Sequence, residues 1–197
     1  TLKVIGRNHT PFDIVEKYQK ARREGFDNIN MDLIAGLPGE DLSMFQNTLG
    51  EIEKLRPDSL TVHTMSIKRA SRLKEEREQY NSATDFEVEK MIEEAGKTAY
   101  GLGMRPYYLY RQKNMLANLE NTGYARPGYE CLYNIHTMEE CQSIIALGAG
   151  AISKLIFASE NRIERVVNLK DVALYIERID EMLQRKKNML EKYFTSE

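Results

Sequence analysis

The feature that most constrains the fold of this chain is the alternation of its hydrophobic pattern between a helical period and a strand period. Amphipathic segments with apolar residues every three or four positions alternate with short apolar runs bounded by glycine or proline. Because strand–helix–strand units build a parallel sheet with helices on its outer face, this order predicts an α/β fold. The predicted elements are a helix at 11–24, a strand at 28–35, a helix at 42–55, a strand at 59–67, a helix at 85–100 and a strand at 105–110.

The residues that flank these segments agree with the assignment, and the later part of the chain is less regular. Thr10 and Pro11 are typical of a helix start, and Pro57 ends the second helix. A mixed region at 128–157 precedes a strand predicted at 162–168. One or two amphipathic helices at 169–194 are expected to form a C-terminal appendage.

Composition indicates an ordinary globular protein and excludes some partners. The 197 residues are 42% hydrophobic and carry a formal net charge of -2, so nothing suggests a nucleic acid or an anionic membrane as partner. The sequence has no apolar run as long as the roughly 18 residues of a membrane helix, and no basic, apolar leader. A cytoplasmic protein is therefore expected, and the charged stretch at 68–78 is interpreted as solvated surface.

Cysteine and histidine give weak signals. Cys131 and Cys141 are the two cysteines, and their spacing matches no common zinc or redox motif, so buried or half-buried structural thiols are predicted. His63 and His136 are open to two interpretations, as haem or metal ligands or as hydrogen-bonded structural histidines. No metal site is predicted from these residues.

Asp32 is a single carboxylate inside an otherwise apolar strand that ends in a Gly36-Leu37-Pro38-Gly39 turn. Ligands of parallel sheets lie at the carboxyl ends of the strands, so Asp32 is expected to face that rim or the lumen of a barrel. Two interpretations are open. The carboxylate binds either the amides of the following turn or a ribose hydroxyl or amine of a ligand. A phosphate-binding P-loop is excluded because no Gly-Lys-Ser/Thr follows.

Several ordered motifs carry a family resemblance. "IGRNH", then "GFDNINMDLIAGLPGED", then "PDSLTVHTMSI" resemble the second half of the radical SAM barrel in the oxygen-independent coproporphyrinogen III oxidase family. Further on, "YLYRQKNMLANLENTGYARPGYECLYNIHTMEE" and "GAGAISK" resemble the coproporphyrinogen dehydrogenase branch of that family. Gly148 and Gly150 match the family's Gly-x-Gly-Ala turn, and without a third glycine they do not indicate a dinucleotide site.

The resemblance implies a set of cofactor contacts. In the family, an acid at the place of Asp32 contacts S-adenosylmethionine, and an arginine at the place of Arg7 reaches the carboxylate of that cofactor. Ser66 matches a position whose backbone lies against the adenine, and Gly36 lets the backbone approach the ligand. Catalytic residues are not assigned.

The resemblance also implies a [4Fe-4S] cluster held by a Cys-x3-Cys-x2-Cys loop, which this chain lacks. The chain is therefore predicted to be a C-terminal fragment that needs the N-terminal half of the barrel and is inactive alone. For the complete protein, the family mechanism uses a 5'-deoxyadenosyl radical to oxidise two propionates of coproporphyrinogen III to vinyl groups in haem biosynthesis, with an electron donor as partner.

A porphyrinogen carries carboxylates around an apolar macrocycle, so its site should combine cations with aromatic walls. Basic and aromatic residues are interleaved after the strand at 105–110. An alternative interpretation is a solvated loop with tyrosines packed beneath it. The predicted substrate-binding residues are Arg111, Lys113, Arg126 and Tyr110, with Tyr107, Tyr108 and Tyr124 nearby.

The predicted organisation is the second half of a radical SAM partial TIM-type barrel at 1–110, a family-specific region closing the substrate site at 111–168, and a helical appendage at 169–197. Two other functions stay open. One is haem binding and delivery without oxidase activity, and the other is a radical SAM reaction on an unrelated substrate.

Overall fold

The helices and strands that the hydrophobic period predicts in the first 110 residues are present in a computed structural model of the chain, which describes residues 1–65, 83–111 and 119–196. The fold is therefore α/β. The first elements are α1 Pro11–Arg23, β1 Asn30–Ala35, α2 Leu42–Leu55, β2 Ser59–Thr64, α3 Asp85–Gly101 and β3 Arg105–Tyr110. They are followed by β4 Asn121–Ala125, α4 Leu132–Met138, β5 Ile152–Phe157, β6 Arg162–Val167, α5 Val172–Glu177 and α6 Ile179–Ser196.

The chain divides into two compact units, Thr1–Ile135 and His136–Glu197. The first unit contains a four-stranded sheet, and the second contains the two-stranded hairpin of β5 and β6. The division falls inside the region predicted as 111–168.

The sheet of the first unit is mixed, so the prediction of a parallel sheet was wrong in this respect. Its strand order is β1-β2-β4-β3. β1 and β2 are parallel, with Asn30 opposite Ser59, whereas β4 runs antiparallel to both of its neighbours. Because β4 lies between β2 and β3, the aromatic segment that follows β3 returns into the sheet instead of remaining a loop.

β4 was not predicted because its sequence, NTGYA, lacks the β-branched or alternating pattern of a strand. Contacts with residues distant in the sequence hold this segment in the sheet. The buried Asn121 side chain accepts a hydrogen bond from the backbone N–H of Thr64 at 2.8 Å. Gly123 pairs with Tyr108, and a Cβ atom at Gly123 would lie 1.9 Å from the ring of that tyrosine. The glycine thus lets an aromatic ring lie directly on the sheet.

Replacing Gly123 by alanine is expected to destabilise the chain by about 1–3 kcal/mol, because the new methyl group must displace the Tyr108 ring. Urea-induced unfolding followed by circular dichroism measures this change. Gly50 in α2 provides a matched control, since a Cβ atom there meets nothing within 4 Å. Gly50→Ala is expected to be neutral or to stabilise by up to about 1 kcal/mol. Equal effects of the two substitutions would contradict the close packing of Tyr108 on Gly123.

Side-chain caps fix the starts of the helices. Thr10 and Asp13 form a reciprocal capping box at α1, as the Thr10-Pro11 pair predicted, and Thr84 with Glu87 does the same at α3. The Asp41 carboxylate accepts a hydrogen bond from the N–H of Met44 at the start of α2.

The main core lies between one face of the sheet and helices α2 and α3. Leu33 of β1 and Leu60 and Val62 of β2 point to this face and are buried. Each such side chain stabilises the fold by roughly 1.5–3 kcal/mol through removal from water. The helices contribute Phe45, Leu49 and Ile52 from α2 and Val88, Met91, Ala95 and Ala99 from α3.

A buried carboxylate ties the amino ends of β1 and β2 to their neighbours. Asp58, whose side chain is 1% exposed, forms ion pairs with Arg22 of α1 at 2.5 Å and with Arg126 after β4. It also accepts the N–H of Ile29 at 2.9 Å. Arg126 reaches the amino ends of β1 and β2 because β4 is antiparallel to β2 and its last residue lies opposite Ser59.

In the second unit, α6 packs on the hairpin of β5 and β6. Leu155 and Phe157 of β5 and Met189 of α6 form a small core. Lys186 is buried, and its ammonium group donates to the Asn168 side chain at 2.5 Å. Asn168 in turn donates to the carbonyl oxygen of Gly148 at 2.7 Å, which fixes the start of the Gly148-Ala149-Gly150 turn.

The two cysteines are exposed, so the prediction of buried or half-buried thiols was wrong. They lie at surface positions around the short helix α4 instead of in a core. The Cys141 thiol lies 3.1 Å from Nδ1 of His136, within hydrogen-bonding distance. Within the described part of the chain, no helix has the length and apolar character to cross a membrane.

Candidate functional site

The face of the four-stranded sheet that lies opposite helices α2 and α3 is polar and aromatic. Strand alternation produces it, because the side chains between the buried Leu33, Leu60 and Val62 point the other way. We call this surface the polar sheet face and define it by Asn30, Asp32, Thr61, His63, Tyr108 and Tyr110.

Asp32 lies on the polar sheet face, on the outer strand β1. It is the third residue of β1 and pairs with Thr61 of β2, so it faces the sheet surface instead of the rim at the end of the strand. The Asn30 side chain donates to Oδ1 of Asp32 at 2.7 Å, in place of the turn amides considered above. The Asp32 side chain is 62% exposed. Its remaining oxygen lone pairs are therefore open to a ligand.

His63 connects Asp32 with the aromatic part of this face. Its Nε2 atom lies 3.8 Å from Oδ2 of Asp32, and its Nδ1 atom lies 3.3 Å from the hydroxyl oxygen of Tyr110. The ring of Tyr110 meets the imidazole edge to face, with centroids 6.4 Å apart. His63 is thus held by hydrogen bonding and by ring contact from a strand that is not adjacent to β2.

Tyrosines form a wall beside His63. The rings of Tyr108 and Tyr110 are stacked, with centroids 6.2 Å apart and planes 5° apart. Tyr107 contacts Tyr108 edge to face and accepts a hydrogen bond from the Asn134 side chain at 3.2 Å. Partial burial raises the pKa of Tyr108 above its ordinary value.

The turn after β1 brings Gly36 to the carboxyl end of this strand. Gly36 is buried and has a φ of 82°, a conformation that favours glycine. The carbonyl oxygen of Ala35 accepts the N–H of Met65 at 2.9 Å, which continues the pairing of β1 and β2 at the start of the turn.

The structure brings some of the predicted site residues together and separates others. Asp32 and Tyr110 share the polar sheet face, and Gly36 ends the strand of Asp32. Arg7 is exposed and lies in the irregular segment between the first turn of the chain and α1. Ser66 and Lys113 lie outside the described residues.

The two predicted arginines lie at opposite ends of the strands. Arg111 follows β3, on the side of the sheet where β1 and β2 also have their carboxyl ends, and it pairs with Glu120 at 3.0 Å. Arg126 lies where β1 and β2 have their amino ends, in its ion pair with Asp58. The predicted grouping of Arg126 with Tyr110 and Arg111 was therefore wrong, because it assumed a loop where β4 crosses the full height of the sheet.

The proximity of His63 and Asn30 to Asp32 was not predicted from the sequence. A signal was present. Leu33 and Ala35 in β1 and Leu60 and Val62 in β2 mark the buried face, and this alternation puts Asp32 and His63 on the same opposite face. The contribution of Tyr110 had no such signal because it depends on strand order.

The hydrogen-bond acceptor on this face, the Asp32 carboxylate, suits part of S-adenosylmethionine. A carboxylate with open lone pairs accepts hydrogen bonds from ribose hydroxyls or an amine, and Asp32 has this exposure. The residues of this chain do not suit the [4Fe-4S] cluster of the family, because that cluster needs three cysteine thiolates and the sequence contains two cysteines. Across residues 1–65, 83–111 and 119–196, no group of three metal-binding side chains comes together.

The titration of Asp32 gives a direct test of the His63 contact. The interaction with His63 lowers the pKa of the Asp32 carboxyl most strongly, partial burial opposes this, and the hydrogen bond from Asn30 lowers it further. Because the folded-state pKa lies below the unfolded one, the stabilisation is present at neutral pH and is lost as the pH falls through the folded-state pKa.

We expect His63→Leu, which keeps no N–H donor, to raise the pKa of Asp32, as measured by NMR titration of the carboxyl carbon. Asp13 is the internal control, since Thr10 lowers its pKa independently of His63. An unchanged Asp32 titration in the variant would show that His63 does not act on this carboxylate.

Comparisons with known proteins agree with this fold. No family model matches the chain. The chain is 50% identical over 194 residues to HemZ of Bacillus subtilis, an oxygen-independent coproporphyrinogen-III oxidase-like protein, and the alignment covers 98% of this chain and 39% of HemZ. It is 25% identical over 191 residues to the haem chaperone HemW of Lactococcus lactis, covering 96% of this chain and 47% of HemW.

A solved structure supports the same fold. The radical SAM coproporphyrinogen III oxidase HemN from Escherichia coli superposes with a TM-score of 0.62 at 18% identity, over 91% of this chain and 40% of HemN. At this identity the match shows the fold alone. The chain spans less than half the length of each of these relatives. Since the identity with HemZ extends over nearly the whole chain, the chain is a close homologue of part of HemZ, an oxygen-independent coproporphyrinogen-III oxidase-like protein.

Proposed function

We propose that this chain is part of a cytoplasmic radical SAM enzyme that oxidatively decarboxylates two propionates of coproporphyrinogen III to vinyl groups. The observation that carries the proposal is the 50% identity with HemZ over 98% of the chain. HemZ itself is an oxidase-like protein, so the decarboxylation is part of this proposal.

In this proposal the polar sheet face is the wall of the reaction chamber. Asp32 accepts hydrogen bonds from S-adenosylmethionine, Gly36 allows close approach of the backbone, and Arg7 and Ser66 complete the contacts that the family resemblance implies. When bound with a [4Fe-4S] cluster, the cofactor supplies a 5'-deoxyadenosyl radical that takes hydrogen from a propionate side chain. The exposed Asp32 carboxylate and its Asn30 and His63 partners support this role.

The substrate is proposed to lie against the tyrosine wall, near the carboxyl end of β3. Tyr108 and Tyr110 offer stacked aromatic surface for a macrocycle, and Arg111 and Lys113 supply cations for its carboxylates. Arg126 is left out of this proposal, because its guanidinium group pairs with the buried Asp58 at the amino end of β2.

The chain is further proposed to form half of a partial barrel. β1 and β3 are the outer strands of the described sheet, and each pairs on one side only. Exposed apolar side chains lie near the β1 edge and α1, among them Phe12 at 74% and Phe26 at 63% exposure. An unpaired parallel edge beside exposed aromatic rings is suited to pairing with a further strand and helix.

The test is an anaerobic assay of the complete gene product with coproporphyrinogen III, S-adenosylmethionine, a reductant and an electron acceptor. The expected products are 5'-deoxyadenosine and a porphyrinogen with two vinyl groups, both detected by mass spectrometry. Cleavage of S-adenosylmethionine with coproporphyrinogen left intact would replace this proposal with a radical SAM reaction on another substrate. A complete gene product without a cluster-binding cysteine motif would overturn the proposal altogether.

The similarity to HemW supports a second candidate function, the binding and delivery of haem. His136 and Cys141 place an imidazole nitrogen and a sulfur 3.1 Å apart, and both are donor atoms that bind haem iron. A Soret shift on haem addition that is lost in His136→Ala, together with no vinyl product, would favour delivery. The oxidase proposal predicts vinyl product and no such shift.

A further inference from the structure

One line of side chains crosses the polar sheet face from β3 to β1. Tyr110 of β3 contacts Nδ1 of His63 at 3.3 Å, and Nε2 of His63 faces Oδ2 of Asp32 at 3.8 Å. β4 lies between β3 and β2, and Gly123 leaves its surface low enough for the Tyr108 ring to lie on it. Tyr110 stacks on Tyr108 and so reaches His63 across the intervening strand.

The donor and acceptor groups of Asp32, His63 and Tyr110 determine which atom donates a proton at each contact in this line. A carboxylate only accepts hydrogen bonds, so the imidazole nitrogen that faces Asp32 is favoured when it carries the proton. In the neutral ring the other nitrogen, Nδ1, is then an acceptor, and the Tyr110 hydroxyl donates to it. Tyr110 therefore selects the tautomer in which His63 presents an N–H to the carboxylate.

The consequence for Asp32 is a carboxylate held from both sides. Asn30 donates to Oδ1 at 2.7 Å, and His63 faces Oδ2. An exposed acid without such partners rotates freely and loses that freedom when it binds a ligand. Here the Asn30 hydrogen bond restricts the rotation before a ligand arrives, and the His63 Nε2 atom lies 3.8 Å from the second oxygen, close enough to favour one orientation while the outer lone pairs stay open.

We propose that Tyr110 and His63 are positioning residues for Asp32: the Tyr110 hydroxyl fixes the His63 tautomer, and the His63 N–H orients the carboxylate that binds S-adenosylmethionine. This inference rests on the proposed cofactor role of Asp32. It gives Tyr110 a second role beside its proposed substrate contact, a role exerted through His63.

The first test measures the tautomer without any ligand. The chain contains three histidines, so selectively labelled histidine gives few nitrogen signals from it, and His63→Gln assigns the one of interest. In the complete gene product, Tyr110→Phe is expected to lower the fraction of His63 that carries the proton on Nε2. Tyr133→Phe is the matched control, because Tyr133 is an exposed residue of α4, and it should leave the His63 signals unchanged.

The second test measures the affinity for S-adenosylmethionine without porphyrinogen, which removes any direct substrate contact of Tyr110. Tyr110→Phe and His63→Leu are each expected to weaken binding by about 3- to 10-fold, the effect of a lost neutral hydrogen bond. His63→Gln keeps an N–H donor and should restore part of the affinity. His9→Gln, at an exposed position before α1, should have no effect.

The outcomes separate this inference from the proposed function. If Asp32→Asn weakens binding but Tyr110→Phe changes neither the tautomer nor the affinity, the positioning role is wrong and the cofactor role of Asp32 stands. If the tautomer changes while neither Asp32→Asn nor Tyr110→Phe affects binding, the hydrogen bond between Tyr110 and His63 exists but the proposed cofactor site is wrong. A change in tautomer together with the graded loss of affinity supports both.

Discussion

Replacing Asp58 by alanine is expected to lower the free energy of unfolding by about 2–4 kcal/mol. The substitution removes the shared partner of two arginines and leaves the N–H of Ile29 without its acceptor. The arginines are 29% and 41% exposed and reach water in part, which keeps the loss below that of a fully buried charge. Urea-induced unfolding of the chain at neutral pH measures the difference.

Two further substitutions make the Asp58 prediction specific. Asp27→Ala removes an exposed carboxylate that lies two residues before Ile29, and it should change stability by less than about 0.5 kcal/mol. Arg126→Ala leaves Asp58 paired with Arg22 and should cost clearly less than Asp58→Ala. If Asp58→Ala cost no more than Asp27→Ala, the ion-pair network would not hold the amino ends of β1 and β2 together.

The Asp58 network also shows where sequence-based prediction ends. The helices and strands up to Tyr110 follow from local periodicity, and the start of α1 follows from Thr10 and Pro11, because these signals lie within a few neighbouring residues. The ion pair of Asp58 with Arg126 depends instead on β4 running antiparallel, and no local pattern in NTGYA indicates a strand.

The candidate site divides in the same way. The sequence predicts that Asp32 lies in a strand and faces away from the apolar core. The alternation of buried and polar residues in β1 and β2 also indicates that Asp32 and His63 lie on the same face. The contact of His63 with Tyr110 could not, since it requires the strand order β1-β2-β4-β3 and a glycine in the intervening strand. Local sequence determines which face a residue occupies, whereas long-range pairing determines which residues meet on that face.

Replacing Asp32 by asparagine is expected to weaken the binding of S-adenosylmethionine to the complete gene product by about 10- to 100-fold, the range for a lost hydrogen bond to a charged group. The amide keeps the size of the side chain but removes the charge and half of the acceptor capacity. Because the Asp32 side chain is 62% exposed, the stability of the fold should hardly change. Equilibrium dialysis under anaerobic conditions measures the affinity, and urea-induced unfolding measures the stability.

Asp27→Asn is the matched control for this prediction, since it makes the same chemical change at an exposed position outside the polar sheet face. It should leave the affinity for S-adenosylmethionine at its original value. Equal affinity in the Asp32 and Asp27 variants would mean that the Asp32 carboxylate does not contact the cofactor, and the line from Tyr110 through His63 would then have another purpose. A selective loss in Asp32→Asn with unchanged stability would instead locate the cofactor on the polar sheet face, because no structural effect would remain to explain it.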